Sequence, residues 1–200
     1  MQTKLKALKV PVIQTSDASA CLRITRQHAS QVLGRLAKAN VVFPIARGLW
    51  AFTDSADSLT FPEYLTAPFP AYISLQTALY YHGVISQVPD VVYAVSIART
   101  RRYKNQLGVI SIHHMAPEFF FGFEVIGEHQ IKIASVEKAL LDILYLSPAR
   151  LHLFEALPEV ELSEIFDITR TYDMIKKIPS LRLKTLVTKR LEVLLQRKTY

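Results

Sequence analysis

Residues 25–40 (TRQHASQVLGRLAKAN) constrain the fold more than any other stretch, because they join a helix start, one apolar stripe and a helix stop. Thr25 is a good N-cap, since its hydroxyl can accept from an otherwise unpaired N–H of the first turn. Ala29, Val32, Leu33 and Leu36 recur at the i, i+3, i+4, i+7 spacing that puts them on one buried face. Gln27, Gln31, Gly34 and Lys38 fall opposite, with Arg26, Ser30 and Arg35 beside them, and Asn40 ends the helix. An ordinary amphipathic surface helix has the same period. The neighbouring residues decide between the two.

Before this helix, Thr15 or Ser16 caps a short helix reaching Cys21 or Leu22, and Arg23-Ile24-Thr25 makes a tight turn. After it, Val41–Ala46 and Leu49–Phe52 read as a β-hairpin closed by the basic turn Arg47-Gly48. Trp50 and Phe52 share one strand face and read as packing residues. Helix, turn, helix and basic hairpin together predict a winged helix-turn-helix over residues 1–60. The major groove is about 12 Å wide and admits one helix, whose outward side chains must be long hydrogen-bonding groups. Glutamine pairs with adenine and arginine with guanine, so Arg26, Gln27 and Gln31 are the candidates for base edges. Thr25 sits at the positive end of the helix dipole and is assigned to phosphate. Ser30, Arg35 and Lys38 flank it as sugar or phosphate contacts, and Arg47 at the hairpin tip reaches for the backbone or the minor groove.

Charge is sorted along the chain in a way that fits this. Residues 1–52 hold eight Lys/Arg against one acid, Asp17; residues 53–175 hold eight against fifteen; residues 176–200 hold eight against Glu192 alone. Basic ends around an acidic middle suggest separate binding surfaces, at least one of them for a polyanion. A single cysteine, Cys21, excludes an internal disulfide framework and a cysteine-based zinc cluster. With no apolar run near 18 residues and no signal-peptide core after Met1, the expected location is the cytoplasm.

The acidic stretch 53–60 and the prolines at 62, 68 and 70 read as a linker of restricted flexibility. Beyond it, residues 71–200 predict a mixed α+β domain with a helical C-terminal part. Ser74 caps a helix to about His82 with Gly83 as its stop; Val91–Ile97, Val109–His113, Phe119–Ile126 and Gln130–Ile133 are strand candidates; Ser135 caps a helix that stops near Pro148. Glu137 complements that helix N-terminus, and Asp142 makes a structural contact. No G-x-S-x-G, P-loop, G-x-G-x-x-G or H-E-x-x-H motif is present, so neither catalytic residues nor a cofactor are assigned. His113 and His114 are strand neighbours pointing to opposite faces, which keeps them from sharing a metal. The cluster Arg99, Arg101, Arg102, Lys104 reads as a basic loop between strands, either solvated or a partner contact for RNA or an acidic protein. Glu155, Glu159, Glu161, Glu164 and Asp167 form an acidic stretch, and Lys189 and Arg190 stand among surplus cations around a leucine-rich C-terminal helix.

Four stretches in this order resemble the AbiEi-type antitoxins and related transcriptional regulators of type IV toxin–antitoxin systems: ITRQHASQVLGRLAKAN (24–40) with RGLWAF (47–52), YISLQTALYYHGVISQVPDVVYAV (72–95), FFFGFEV (119–125) and IKIASVEKALLDILYL (131–146). The resemblance implies an autorepressor that binds promoter repeats in double-stranded DNA. It also implies a second domain that opposes an AbiEii-type nucleotidyltransferase toxin, with no catalysis of its own. The rival expectations are a stand-alone winged-helix regulator, a protein–protein interaction module, and a nucleotide- or RNA-modifying enzyme.

Overall fold

The computed structural model describes residues 2–147 and 166–196. Its first part runs α1 (Gln2–Lys6), β1 (Val12–Gln14), α2 (Thr15–Leu22), α3 (Arg26–Lys38), β2 (Val42–Ala46) and β3 (Leu49–Phe52). The strands form an antiparallel sheet in the order β1-β3-β2, so the hairpin expected from sequence gains a third strand. Strand alternation gives this small sheet two apolar faces. Ile13, Val42 and Phe52 pack with Leu5, Ala18, Ala29 and Leu33 under the helices. Val12, Phe43, Ile45 and Ala51 belong instead to the core of the rest of the molecule.

That second burial changes the role of residues 61–70. The stretch read as a linker carries a helix, α4 (Phe61–Thr66), whose Phe61 and Pro62 are buried. Phe61 meets Phe43 edge-on with ring centroids 6.3 Å apart. Proline at the first turn of a helix costs no hydrogen bond, which is why Pro62 starts an element rather than a tether.

The second part is a mixed α+β arrangement. β4 (Ala71–Ile73), α5 (Leu75–Tyr81), β5 (Val91–Ser96), β6 (Arg101–Asn105), β7 (Gly108–His114), β8 (Phe123–Ile126) and β9 (Ile131–Ala134) precede the helices α6 (Val136–Leu146), α7 (Ile168–Lys176) and α8 (Leu181–Gln196). The six strands order as β6-β7-β5-β4-β9-β8. The β5/β7 and β4/β9 pairs are parallel and the other neighbours antiparallel. Three expectations are corrected here. Arg101, Arg102 and Lys104 lie on an edge strand, not in a loop, with Arg99 just before it. The strand expected at 119–126 starts only at Phe123, because Phe119 sits in a 3₁₀ turn and Gly122 takes φ +77°. Ser74 stands at the N-cap of α5 as expected, but its hydroxyl donates into the core and makes no capping bond to the first turn. Residues Glu155, Glu159, Glu161 and Glu164 lie outside the described residues. Among the described residues no helix is long and apolar enough to cross a membrane.

That core contains a fully buried ion pair. Lys138 donates to Asp142 one turn along α6, and Tyr72 Oη (2.9 Å) and Ser74 Oγ (2.7 Å) donate to the other carboxylate oxygen. The Lys138 ammonium also lies 4.0 Å from the Phe119 ring centroid and 5.3 Å from that of Phe121. Gly122 lets the chain pass so close that a Cβ there would meet the Lys138 stem at 3.1 Å. Burial pushes the Lys138 ammonium down and the Asp142 carboxyl up, and their mutual attraction opposes both shifts. Glu137, also buried, accepts from Ser135 Oγ (2.7 Å) and from the Asp167 N–H (3.2 Å), so it ties α6 to the start of α7. Asp142→Ala strands the ammonium and is expected to cost about 3–5 kcal/mol in urea unfolding; Lys138→Met with Asp142→Leu should recover part of that loss.

His113 supplies a pH dependence. Its ring is buried, 3.0 Å from Ser111 Oγ, and burial pulls its pKa from 6.5 to about 4. The folded chain therefore binds fewer protons than the unfolded one between those values. Its share of stability is complete above 6.5 and is lost as pH falls toward about 4, a drop of about 3 kcal/mol. Thermal unfolding of His113→Gln across this range should show a flatter acid limb than the wild type.

Candidate nucleic-acid interface

The outward face of α3 is built by its own cap and by the sheet beneath it. Thr25 Oγ1 accepts from the His28 N–H at 3.2 Å and starts the helix. Ala29, Val32 and Leu33 are buried, Ala29 and Leu33 in the core shared with the small sheet and α2, which turns Arg26, Gln27, Ser30, Gln31, Arg35 and Lys38 to solvent. Asn40 ends the helix at φ +53°, with its N–H on the Ala37 carbonyl and that of Val41 on Leu36.

The connection from α2 to α3 is as tight as its sequence implies. Arg23 takes the left-handed conformation (φ 55°, ψ 46°), its N–H reaches Ala20 O, and the Ile24 N–H reaches Ser19 O. Ser19 Oγ donates to Ile24 O at 2.6 Å and closes the turn. The cap of α2 differs from expectation. Gln14 occupies it, and Asp17 accepts from the Gln14 N–H at 3.2 Å, in place of Thr15 or Ser16. Thr15 holds the hairpin instead. Its N–H donates to Gly48 O (2.9 Å), and its hydroxyl oxygen accepts from Trp50 Nε1 (3.1 Å). Gly48 sits at φ +78°, so the turn that exposes Arg47 is seated on the first residue of α2. No sequence periodicity marks this seat, because its hydrogen bonds join Thr15 to residues 33 and 35 further along the chain.

The electrostatics follow from which charges are paired. Lys6 pairs with Asp54 and holds that carboxyl below its ordinary range. Lys4, Lys9, Arg23, Arg26, Arg35, Lys38 and Arg47 are exposed and have no acidic partner among the described residues. Asp17, the only acid in this part of the chain, is spent on the α2 cap.

The sites assigned to a partner occupy two separate elements. Arg99, Arg101, Arg102 and Lys104 are exposed on and before β6, which abuts β2. Lys189 is exposed and Arg190 half-buried on α8, which packs on α6 and α7. A cleft of about 380 Å³ opens near Gln14, Glu63, Tyr64, Tyr72 and Lys132. Its Lys132 and Glu63 are already paired with each other across it. His113 and His114 separate as expected for strand neighbours, with His113 beside Ser111 and the exposed His114 ring at Ala98 O. No protein-family model matches the chain, and no curated protein matches it.

Proposed function

We propose that residues 2–53 are a winged helix-turn-helix that binds double-stranded DNA, and that the protein is a transcriptional repressor of its own promoter. One observation carries this reading. α3 buries its apolar stripe and presents Arg26, Gln27, Ser30 and Gln31 together on a surface with no acid to neutralise it. In the groove, Gln27 and Gln31 match the donor–acceptor pair on adenine, and Arg26 matches the two acceptors on guanine. The Thr25 hydroxyl, whose oxygen is engaged with His28, keeps its proton for a phosphate. Arg35 and Lys38 neutralise the backbone at the other end of α3, and Arg47 does so beside the hairpin, each releasing counterions. Such a role places the protein in the cytoplasm with the chromosome and requires neither a cofactor nor catalysis.

The antitoxin role rests on the resemblance of the stretches that form β4, α5, β5, β8, β9 and α6. It is tested by co-expressing the neighbouring gene, whose product should arrest growth alone and be relieved by this chain. Relief by repression without the second part would leave a stand-alone regulator.

DNA recognition is tested by fluorescence anisotropy on the promoter fragment and on random DNA. Gln27→Ala and Gln31→Ala are each expected to cost about 1–3 kcal/mol on the promoter and little on random DNA. Arg35→Ala and Lys38→Ala should weaken both and each lower the salt slope by about 1. Equal losses on both DNAs for the glutamine variants remove them from base recognition; no binding by the wild type favours a protein partner.

A further inference from the structure

We propose that the cleft between Gln14, α4 and β9 binds a free α-amino acid with an apolar side chain, its ammonium on Glu63 and its carboxylate on Lys132. The cleft holds about 380 Å³, at the small end of the roughly 300–1,000 Å³ that small-molecule sites span, so one compact molecule fits it. Its walls come from separate elements: Gln14 at the end of β1, Glu63 and Tyr64 on α4, Ile131 and Lys132 on β9. Both charged walls are anchored. α4 is held by its buried Phe61, Pro62 and Thr66, and Lys132 stands opposite Val125 beside the buried Ile133. The spacing of the walls is therefore fixed, while the flexible stem of Lys132 leaves its ammonium room to swing.

The pair across the cleft defines the ligand's class. Glu63 and Lys132 meet with side-chain exposures of 44% and 26%, and an ion pair so open to water adds little to stability. Opening it costs correspondingly little and leaves a negative wall facing a positive one. An anion entering there meets Glu63 as a like charge, and a cation meets Lys132. A molecule that carries both charges side by side satisfies both walls, replacing one exposed ion pair by two charge-assisted hydrogen bonds. Beyond the pair, Leu59, Ala67 and Ile131 line the cleft and are left partly uncovered. A salt bridge that only tied α4 to β9 would need no such cavity beside it. An aliphatic or aromatic side chain covers this apolar surface, and an α-amino acid joins it to the two charges.

The site also touches the front of the molecule. Gln14 donates its N–H to Asp17 in the first turn of α2, and it precedes Thr15, the seat of the Arg47 turn. Burial, and after it the charges of Glu63 and Asp17, push the Tyr64 hydroxyl above its ordinary range, so the α4 wall stands in electrostatic reach of that same turn. Trp50, the only tryptophan of the chain, donates to Thr15 Oγ1 at 3.1 Å. An occupant in contact with Gln14 therefore alters the surroundings of an intrinsic fluorophore with no DNA present, which keeps the test apart from the DNA reading.

Calorimetric titration of the full chain uses leucine, isoleucine, valine, methionine and phenylalanine as probes. The N-acetyl and amide derivatives of each serve as controls that lack one charge. At least one of the five amino acids is expected to bind, and its two derivatives, like E63Q and K132Q, should each weaken binding about tenfold or more. Circular dichroism checks that both variants fold, and the derivatives put the same question to the unaltered protein. Trp50 emission should shift on binding to the wild type and stay unchanged in the variants at the same concentration. Absence of binding by all five overturns the proposal. So does binding that both variants retain, or a derivative that binds as tightly as its parent. Binding that leaves Trp50 emission unchanged overturns the Gln14 contact.

Discussion

The small sheet is apolar on both sides, and everything that places α3 depends on that. One face, through Ile13, Val42 and Phe52, supports the helices; the other, through Val12, Phe43, Ile45 and Ala51, enters the main core. Fully burying a large aliphatic or aromatic side chain is worth about 1.5–3 kcal/mol. The three large residues on the inner face therefore weld the two parts with an energy comparable to the net stability of a domain. Phe61 completes the seam against Phe43, so the segment between the parts contributes to their packing.

The main core has a different kind of anchor. Two opposite charges at no exposure are expensive to desolvate, and such a pair persists only where the remaining hydrogen-bonding capacity is met. Tyr72 and Ser74 meet it for Asp142, and the rings of Phe119, Phe121 and Tyr72 surround Lys138. These residues come from β4, from the turn before β8 and from α6. The network therefore specifies how strand, turn and helix meet, a geometry that apolar contacts alone would leave less defined.

Legibility in the sequence followed the strength of the local signal. The thirteen residues of α3 carry a full apolar period between two caps, and both its buried stripe and its outward residues could be read directly. β1 and β4 have three residues each, too few for alternation to register. β6 shows no apolar alternation because Arg101, Arg102 and Lys104 are exposed on both sides of an edge, so it read as a loop. Pro62 looked like a linker residue, although a helix start suits it equally well. The apolar run at 119–121 has the composition of a strand, yet it wraps Lys138, whose burial nothing in its own sequence neighbourhood announces. Of the candidate site, the side chains on α3 were legible; the Thr15 seat that fixes Arg47 was not, because it is a tertiary contact.

The double-sided sheet also bears on how such a protein diverges. A recognition unit on a tether can be exchanged between relatives as a cassette, with specificity changing and the remainder untouched. Here Phe43 and Ile45 must match Phe61 and Tyr103, so a transplanted front end brings a foreign seam with it. If α3 reads DNA as proposed, a new preference is therefore easier to acquire by changes on its outward surface than by recombination.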